Sequence, residues 1–172
     1  MKTLIVYSSR TGNTKIVAEA IQAALPGDVD LVVDRNLPDD LSAYDFIFAG
    51  FWADKGTANA EMAAVLPKLH HAKVAVFATA GAEPESDHAK DCLRNGSALL
   101  PGDATLVGTW SCQGKIDPKI VEMMAAMFPA GHPHSMTPAR KARIENAKTH
   151  PDAADLQHVA DWAKTIVKGG GR

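Results

Sequence analysis

The chain has 172 residues, 46% apolar and 22% charged, with a formal net charge of −2 at pH 7. These proportions fit a globular chain with room for a sizeable core, and they lack the basic excess that draws a protein to nucleic acid or to an anionic membrane surface. Two cysteines, Cys92 and Cys112, make no disulfide framework, and the apolar run in MKTLIVYSSR is too short and too closely flanked by charge for a signal segment, so a reducing, cytoplasmic setting is expected.

In chain order, apolar runs alternate with helical periodicities. A strand is expected at 3–8 (TLIVYS), then a helix at 13–25 with Ile16, Val17, Ala20, Ile21 and Ala24 on one stripe. A second strand follows at 29–33 and a third at 45–50 (DFIFAG). A short helix at 58–66 stops at Pro67. Strand 73–79 (KVAVFAT), a weak helix at 86–95 opening with Ser86 and Asp87, and strand 104–110 come next. Helices at 118–128 and 138–149 each have proline at the expected first position. The last helix, 151–168, runs into a glycine tail expected to fray. Three of the strands lack polar alternation, as strands covered on both faces do.

Five strand–helix alternations predict an α/β, doubly wound, three-layer sandwich around a five-stranded parallel sheet in the order 2-1-3-4-5, formed by residues 1–172 as one domain. In such sheets ligands sit beyond the carboxyl ends of the strands, at the switch between strands 1 and 3. The loops to examine are therefore 8–13, 50–57, 79–88 and 110–117.

The first of these reads SSRTGNT (8–14). Hydroxyls of Ser8, Ser9, Thr11 and Thr14 and the amide of Asn13 can donate to phosphate oxygens, Gly12 lets the backbone come close, and the helix start adds unpaired N–H groups and partial positive charge. Arg10 can add a charge-assisted bond. No Gly-Lys-Ser/Thr follows, so the loop is not a P-loop, and it is not GxGxxG. One capping residue would satisfy a helix start; six consecutive polar or glycine positions favour a bound anion.

The stretch IVYSSRTGNTKIVAEAI resembles the flavodoxin signature of two apolar residues, an aromatic, Ser/Thr, Gly-x-Thr and a helix with Ala and Ile at set places. The resemblance covers roughly residues 1–116 and implies FMN, with its phosphate on Ser9, Arg10, Thr11, Gly12, Asn13 and Thr14. It also implies a ring site after strand 3, at Gly50, Phe51, Trp52, Ala53, Asp54, Lys55 and Gly56. There Trp52 would stack on the isoalloxazine, where the family often has Trp-Gly-Asp; the alternative is a lid on the core. A peptide in this turn flips on one-electron reduction in the family, a motion easy at glycine. Ala53 at that place would restrain it, unless Gly56 supplies the freedom. Lys55 is a further departure, read as a solvated lysine.

By the same resemblance the backbone of Thr79, Ala80 and Gly81 faces the pyrimidine edge. No tyrosine follows to cover the outer flavin face; either His88 covers it, or His88 is a surface histidine and the face is open to a substrate or partner. Trp110 could reach that face, and Cys112 is expected as a buried structural thiol. His132 and His134, with His150 and His158, invite a metal, but no Cys or acidic pair is spaced to complete a site, and none is expected. Arg140, Lys141 and Arg143 form a solvated face or a docking patch for an acidic partner. Residues 130–150 exceed a minimal flavodoxin, and with Trp-x-Asp-Lys-Gly and the HPH and HPD motifs the chain resembles a subgroup found in anaerobes, some of whose members are encoded beside bilirubin reductase.

The resemblance implies an FMN-binding carrier of electrons between a reductase and an acceptor oxidoreductase, bilirubin reductase among the candidates, with no catalytic side chain of its own. The chain is expected as a monomer or weak homo-oligomer with no nucleic-acid or membrane partner. The alternative is an FMN-dependent NAD(P)H reductase of quinones or other small acceptors.

Overall fold

The computed structural model of the chain describes residues 1–169. Its first strand, β1 (Lys2–Tyr7), is β-branched and aromatic, and Leu4, Ile5 and Val6 are all 0% exposed, so both of its faces are covered. The chain continues through α1 (Asn13–Ala24), β2 (Asp28–Val33), β3 (Phe46–Asp54), the two-residue β4 (Thr57–Ala58), α2 (Ala60–Val65), β5 (Lys73–Ala80) and α3 (Asp87–Ser97). It ends with β6 (Thr105–Gln113), α4 (Pro118–Met127), α5 (Pro138–Ala147) and α6 (Ala153–Gly169). The parallel strands lie in the order β2-β1-β3-β5-β6. With the short β4, antiparallel to the end of β3, set aside, this is the 2-1-3-4-5 order of a doubly wound sheet. The tail expected to fray falls on residues 170–172, outside the described residues.

Alternate strand residues feed opposite layers. From β3, Ile47, Ala49 and Phe51 pack with Met62 and Val65 of α2 and with Leu93 of α3. Phe46 and Phe48 pack on the other face with Val17 and Ile21 of α1 and Val159 and Ala163 of α6. Pro67 ends α2 as expected, and the chain tightens there into one 3₁₀ turn, Leu66–Lys68.

The two remaining helices cover neither face of the sheet. No residue of α4 is buried, and Ala147 is the buried residue of α5. Their starts follow from sequence. Asp117 Oδ1 accepts the N–H of Lys119 at 2.9 Å before Pro118, and Thr137 Oγ1 accepts the N–H of Arg140 at 3.2 Å before Pro138.

Two strands outrun their expected ends, and the longer β3 moves Trp52 from a loop into the sheet. β6 continues to Gln113, and Trp110 pairs with Phe77 within the sheet and its ring lies 6.4 Å from that of Trp162 on α6. Trp110 therefore belongs to the core beneath α6 and not to the flavin side. β3 continues to Asp54, and Trp52 pairs with Thr79 on β5.

Candidate functional site

Between Tyr7 and Asn13 the chain leaves the sheet and turns into α1. Gly12 occupies the N-cap position with φ +94°, and neither a side-chain hydrogen bond caps the helix nor an acidic residue stands in its first turn. The polar residues of the loop are thus not helix caps. Ser9 Oγ accepts the N–H of Gly12 at 3.1 Å. Asn13 Nδ2 donates to the carbonyl of Lys115 at 2.9 Å, and the hydroxyls of Thr14 and Thr79 are 2.9 Å apart. Ser8 Oγ accepts from Asn59 Nδ2 at 2.9 Å. These side chains fasten the loop to the segments around it. What they leave unspent is the row of backbone N–H groups at the helix start, with its partial positive charge. A Cβ on Gly12 would meet nothing within 4 Å, so the space beside the loop is open.

A cleft of about 340 Å³ opens beside this loop, within the range of small-molecule sites. It brings together Arg10, Thr11 and Asn13 with Trp52, Ala53, Asp54 and Lys55, and with Thr79, Ala80, Gly81 and His88. Ser8 and Ser9 line an adjoining cavity that shares Arg10, Trp52 and Asp54 with the cleft. Gly12, Thr14, Gly50, Phe51 and Gly56 line neither. Phe51 is 0% exposed because its position in β3 points it into the α2–α3 core, and Gly50 is glycine because a Cβ there would lie 2.1 Å from the ring of Phe77. Thr14 is buried against Thr79.

The Trp52 wall is a tight hairpin. Ala53 pairs with Ala58 and Asp54 with Thr57, leaving Lys55 and Gly56 as the two turn residues, with φ +48° and +82°. Both central residues at positive φ is the geometry of a type I′ turn. Ala53 is therefore extended strand and does not hold the position where a left-handed backbone matters. That position falls at Lys55 and Gly56.

Two buried polar residues to which the sequence assigned no role in the site hold the walls in place. Asn59, 0% exposed, donates to Ser8 Oγ and, at 2.7 Å, to Glu61, while its Oδ1 accepts the N–H of Trp52 at 3.3 Å. It ties the loop after β1 to the strand that carries Trp52. The Asn59 bond also holds the Glu61 carboxyl below its usual range. Gln113, 3% exposed, donates to the carbonyl of Gly81 at 3.0 Å and accepts from Asn146 at 3.0 Å. It anchors α5 over the β5 loop. The signal for Asn59 was its place before a helix, and for Gln113 its place at a strand end; neither distinguishes a buried bridge from a surface amide.

The segment beyond β6 contributes to the cleft directly. Lys115, Ile116, Asp117, Ile120, Met124 and Arg143 complete its lining. Asn13 fits beneath this wall because residue 114 is glycine; a Cβ there would lie 2.6 Å from Asn13 Nδ2. His88 stands at the rim, exposed, with Nε2 3.7 Å from Sγ of Cys92. Cys112 is buried in the α1–α6 core, and burial pushes its thiol far above its usual range, so it is a structural cysteine.

His132 and His134 lie at the end of α4 against Phe128, the His132 ring stacked on it at 4.7 Å, and His132 Nδ1 accepts the N–H of His134. An acidic pair does lie near His150, contrary to the spacing argument. Asp152 and Asp155 come within 4.8 Å of it. Each of these acids accepts the other's backbone N–H at 2.9 Å, a reciprocal cap on α6, and His150 Nδ1 lies 2.6 Å from Asp155.

A parallel sheet in this order, an uncapped helix start at its switch point and a tryptophan-walled cleft beyond its strand ends define a doubly wound α/β protein with a site for an anionic ligand at its switch point. Residues 4–164 match the family model described as a flavodoxin domain, and the chain belongs to that family. It is similar to the flavodoxin-like domain-containing protein BilS of Clostridioides difficile (strain CD3), at 29% identity over 97% of both chains. It is also similar to BilS of Clostridium symbiosum (strain WAL-14163), at 27% identity over 99% of this chain and 98% of the relative. Oxidised flavodoxin 2 from Bacillus cereus shares the fold, with a TM-score of 0.60 and 18% identity over 98% of this chain and 99% of that one. The cofactor is FMN. The donors fit it: unspent N–H groups and Arg10 for a phosphate, and a flat indole for a flat ring. The protein is a flavodoxin-like FMN-binding protein of electron transfer. No helix among the described residues is long and apolar enough to cross a membrane.

Proposed function

We propose that the protein carries electrons from a reductase to an acceptor oxidoreductase of the bilirubin reductase type, holding FMN between the loop after β1 and the Trp52 hairpin. When bound, FMN supplies the redox chemistry. The start of α1 and Arg10 hold the phosphate, Asn59 and Gln113 keep the two walls in register, and Trp52 supports the ring.

The observation that carries this reading is the uncapped start of α1, where six polar or glycine residues leave the N–H groups free for an anion. The choice of acceptor is supported by the two BilS relatives, which match nearly the whole chain, including residues 130–150 beyond a minimal flavodoxin. Bilirubin reductase is encoded beside some members of the subgroup that the chain resembles. The reading as an NAD(P)H reductase is weakened by Trp110, which packs on Trp162 and is not available to an outer flavin face.

The test is a titration of purified protein with FMN, followed by anaerobic photoreduction and mixing with bilirubin reductase and bilirubin. Quenched flavin fluorescence, then re-oxidation of the flavin with loss of the bilirubin absorbance, is expected. Failure to bind FMN overturns the reading. NADPH oxidation by the protein alone, with a quinone, would replace it with the reductase.

A further inference from the structure

We infer that one face of the flavin ring is received by Ile116, Ile120 and Met124, an aliphatic wall that the segment leading into α4 adds to the cleft. The inference rests on FMN occupying the cleft, and it names the residues that cover the ring face Trp52 does not.

The first observation is chemical. Trp52 apart, the large apolar side chains of the cleft lining are Ile116, Ile120 and Met124, and all three come from one stretch of chain. Their spacing, i, i+4 and i+8, puts Ile120 and Met124 on one face of α4 and carries the same line back to Ile116 before the helix. All three are half-buried. Met123 and Met127, on the same helix but outside the lining, are 54% and 61% exposed, so α4 turns its Ile120–Met124 face to the cleft. A planar ring system has two apolar faces. The indole of Trp52 suits one, and branched and thioether side chains, which pack well on aromatic rings, suit the other.

The second observation is that this wall is fastened to the rest of the site. The N–H of Gly114 donates to the Ala80 carbonyl at 2.8 Å, and the N–H of Lys115 donates to the His150 carbonyl at 3.0 Å. The Lys115 carbonyl in turn accepts from Asn13 of the loop after β1. Ile116 sits directly on the loop after β5, since a Cβ at Gly81 would lie 2.6 Å from its Cγ1 and Cδ1. Asp117 then caps α4 through the N–H of Lys119, which fixes where residues 120 and 124 fall. His88 also lines the cleft, but as an exposed polar ring at its rim. A ring face covered by the aliphatic wall is closed to a stacked nicotinamide and leaves the ring edge for electrons to pass, which favours the carrier over the NAD(P)H reductase.

The test follows the methionine methyl groups of protein labelled with ¹³C at Cε and titrated with FMN. Met124→Leu identifies the Met124 signal by its loss. The ring current moves a methyl lying over a ring face upfield and one lying at the ring edge downfield. The expected result is an upfield shift of Met124, with Met123 and Met127 little moved. Fluorescence-quenching titration gives the second readout. Ile120→Ala with Met124→Ala should weaken FMN about tenfold, the loss expected when two apolar side chains are cut back on one ligand face. Met124→Leu, which keeps the volume, should hold the affinity within about twofold. Met123→Ala with Met127→Ala should leave it unchanged. None of these side chains is in the core, so the urea midpoint should stay in place throughout. FMN that binds with the Met124 signal unmoved or shifted downfield overturns this inference alone, and so does native affinity in the Ile120 and Met124 double variant. Absence of any FMN binding overturns the FMN site and this wall together. The titrations involve no acceptor, so a failure to pass electrons to bilirubin reductase would sink the carrier reading and leave the wall standing.

Discussion

The guanidinium of Arg10 lies over the indole of Trp52, 5.7 Å from the ring centroid, with its Nε 3.8 Å from Asp117. One side chain thus links the phosphate loop, the ring wall and the start of α4. Asp117 competes with an anionic ligand for that cation and adds a like charge to the cleft. Asp117→Ser removes the charge yet keeps an N-cap for Lys119. FMN affinity should rise about fivefold, the size of one partly exposed ion pair, with the unfolding midpoint unchanged. Arg10→Ala should weaken FMN and shrink the gain from Asp117→Ser. Fluorescence-quenching titrations of the four proteins in this cycle measure both; an equal gain with and without Arg10 would show that the pair is not coupled.

The hairpin makes a second prediction. Lys55 adopts φ +48° and Gly56 φ +82° in the turn, while Ala53 is strand. Lys55→Asn puts the favoured first residue of a type I′ turn at a strained position and should stabilise the fold by about 0.5 kcal/mol. Gly56→Ala should cost about 1 kcal/mol or more, from backbone conformation alone, since a Cβ there meets nothing within 4 Å. Ala53→Gly should loosen a strand residue and destabilise by about 0.5–1 kcal/mol. Urea unfolding of the three variants decides whether the conformational freedom beside the ring site lies at 55–56 or at 53.

That correction shows how far the sequence reached. The sheet order was legible because continuous apolar runs such as TLIVYS and KVAVFAT alternate with helical stripes, and few arrangements bury both. The cradle was legible because so many small donors in a row exceed what a helix start needs. Strand ends were not legible. FWAD reads as a loop since a charge closes the apolar run, yet pairing with β4 and β5 extends β3 through it; the role of Trp110 was hidden because Trp162, on which it packs, lies far away in sequence. Bridging amides such as Asn59 and Gln113 were invisible because their partners lie far away in sequence, as with Ser8 and Gly81.

Asn59 is the position where the site and the fold are most tightly joined. Asn59→Ala would leave Ser8 Oγ and the N–H of Trp52 without their partner in a buried place, at a cost of about 1–3 kcal/mol. Since both groups border the cleft, FMN affinity should fall at least tenfold together with stability. Asn59→Asp keeps the shape but sets a carboxylate beside Glu61, which Asn59 now donates to, so its defect should lessen as pH falls. Titrations at pH 5 and pH 8 compare the two; an Asp variant that binds FMN equally at both would remove the electrostatic part of the argument.

The last prediction concerns pH. Tyr44 donates its hydroxyl to Asp30 at 2.7 Å, and Lys2 Nζ lies 3.3 Å from the same carboxylate and 5.0 Å from the Tyr44 ring. The Tyr44 hydrogen bond holds the Asp30 carboxyl below its usual range, and the bond to Asp30 pushes the Tyr44 phenol up to about 12. The signs are opposite on the two limbs. A depressed carboxyl contributes stability that is present above its unfolded pKa near 3.9 and is lost as pH falls through the lower folded value. A raised phenol contributes stability that is present below its unfolded pKa near 10 and is lost as pH rises from there through about 12. Tyr44→Phe removes the phenol contribution and the largest part of the carboxyl one, leaving the part that Lys2 supplies, so stability should become flatter above pH 10, less steep below pH 4, and change least in slope between them. In the native protein, absorbance near 295 nm should show one phenol ionising near pH 12, and that step should vanish in Tyr44→Phe. A native titration with no phenol midpoint above about pH 10.5, without denaturation, would mean that the Tyr44–Asp30 bond does not persist in solution.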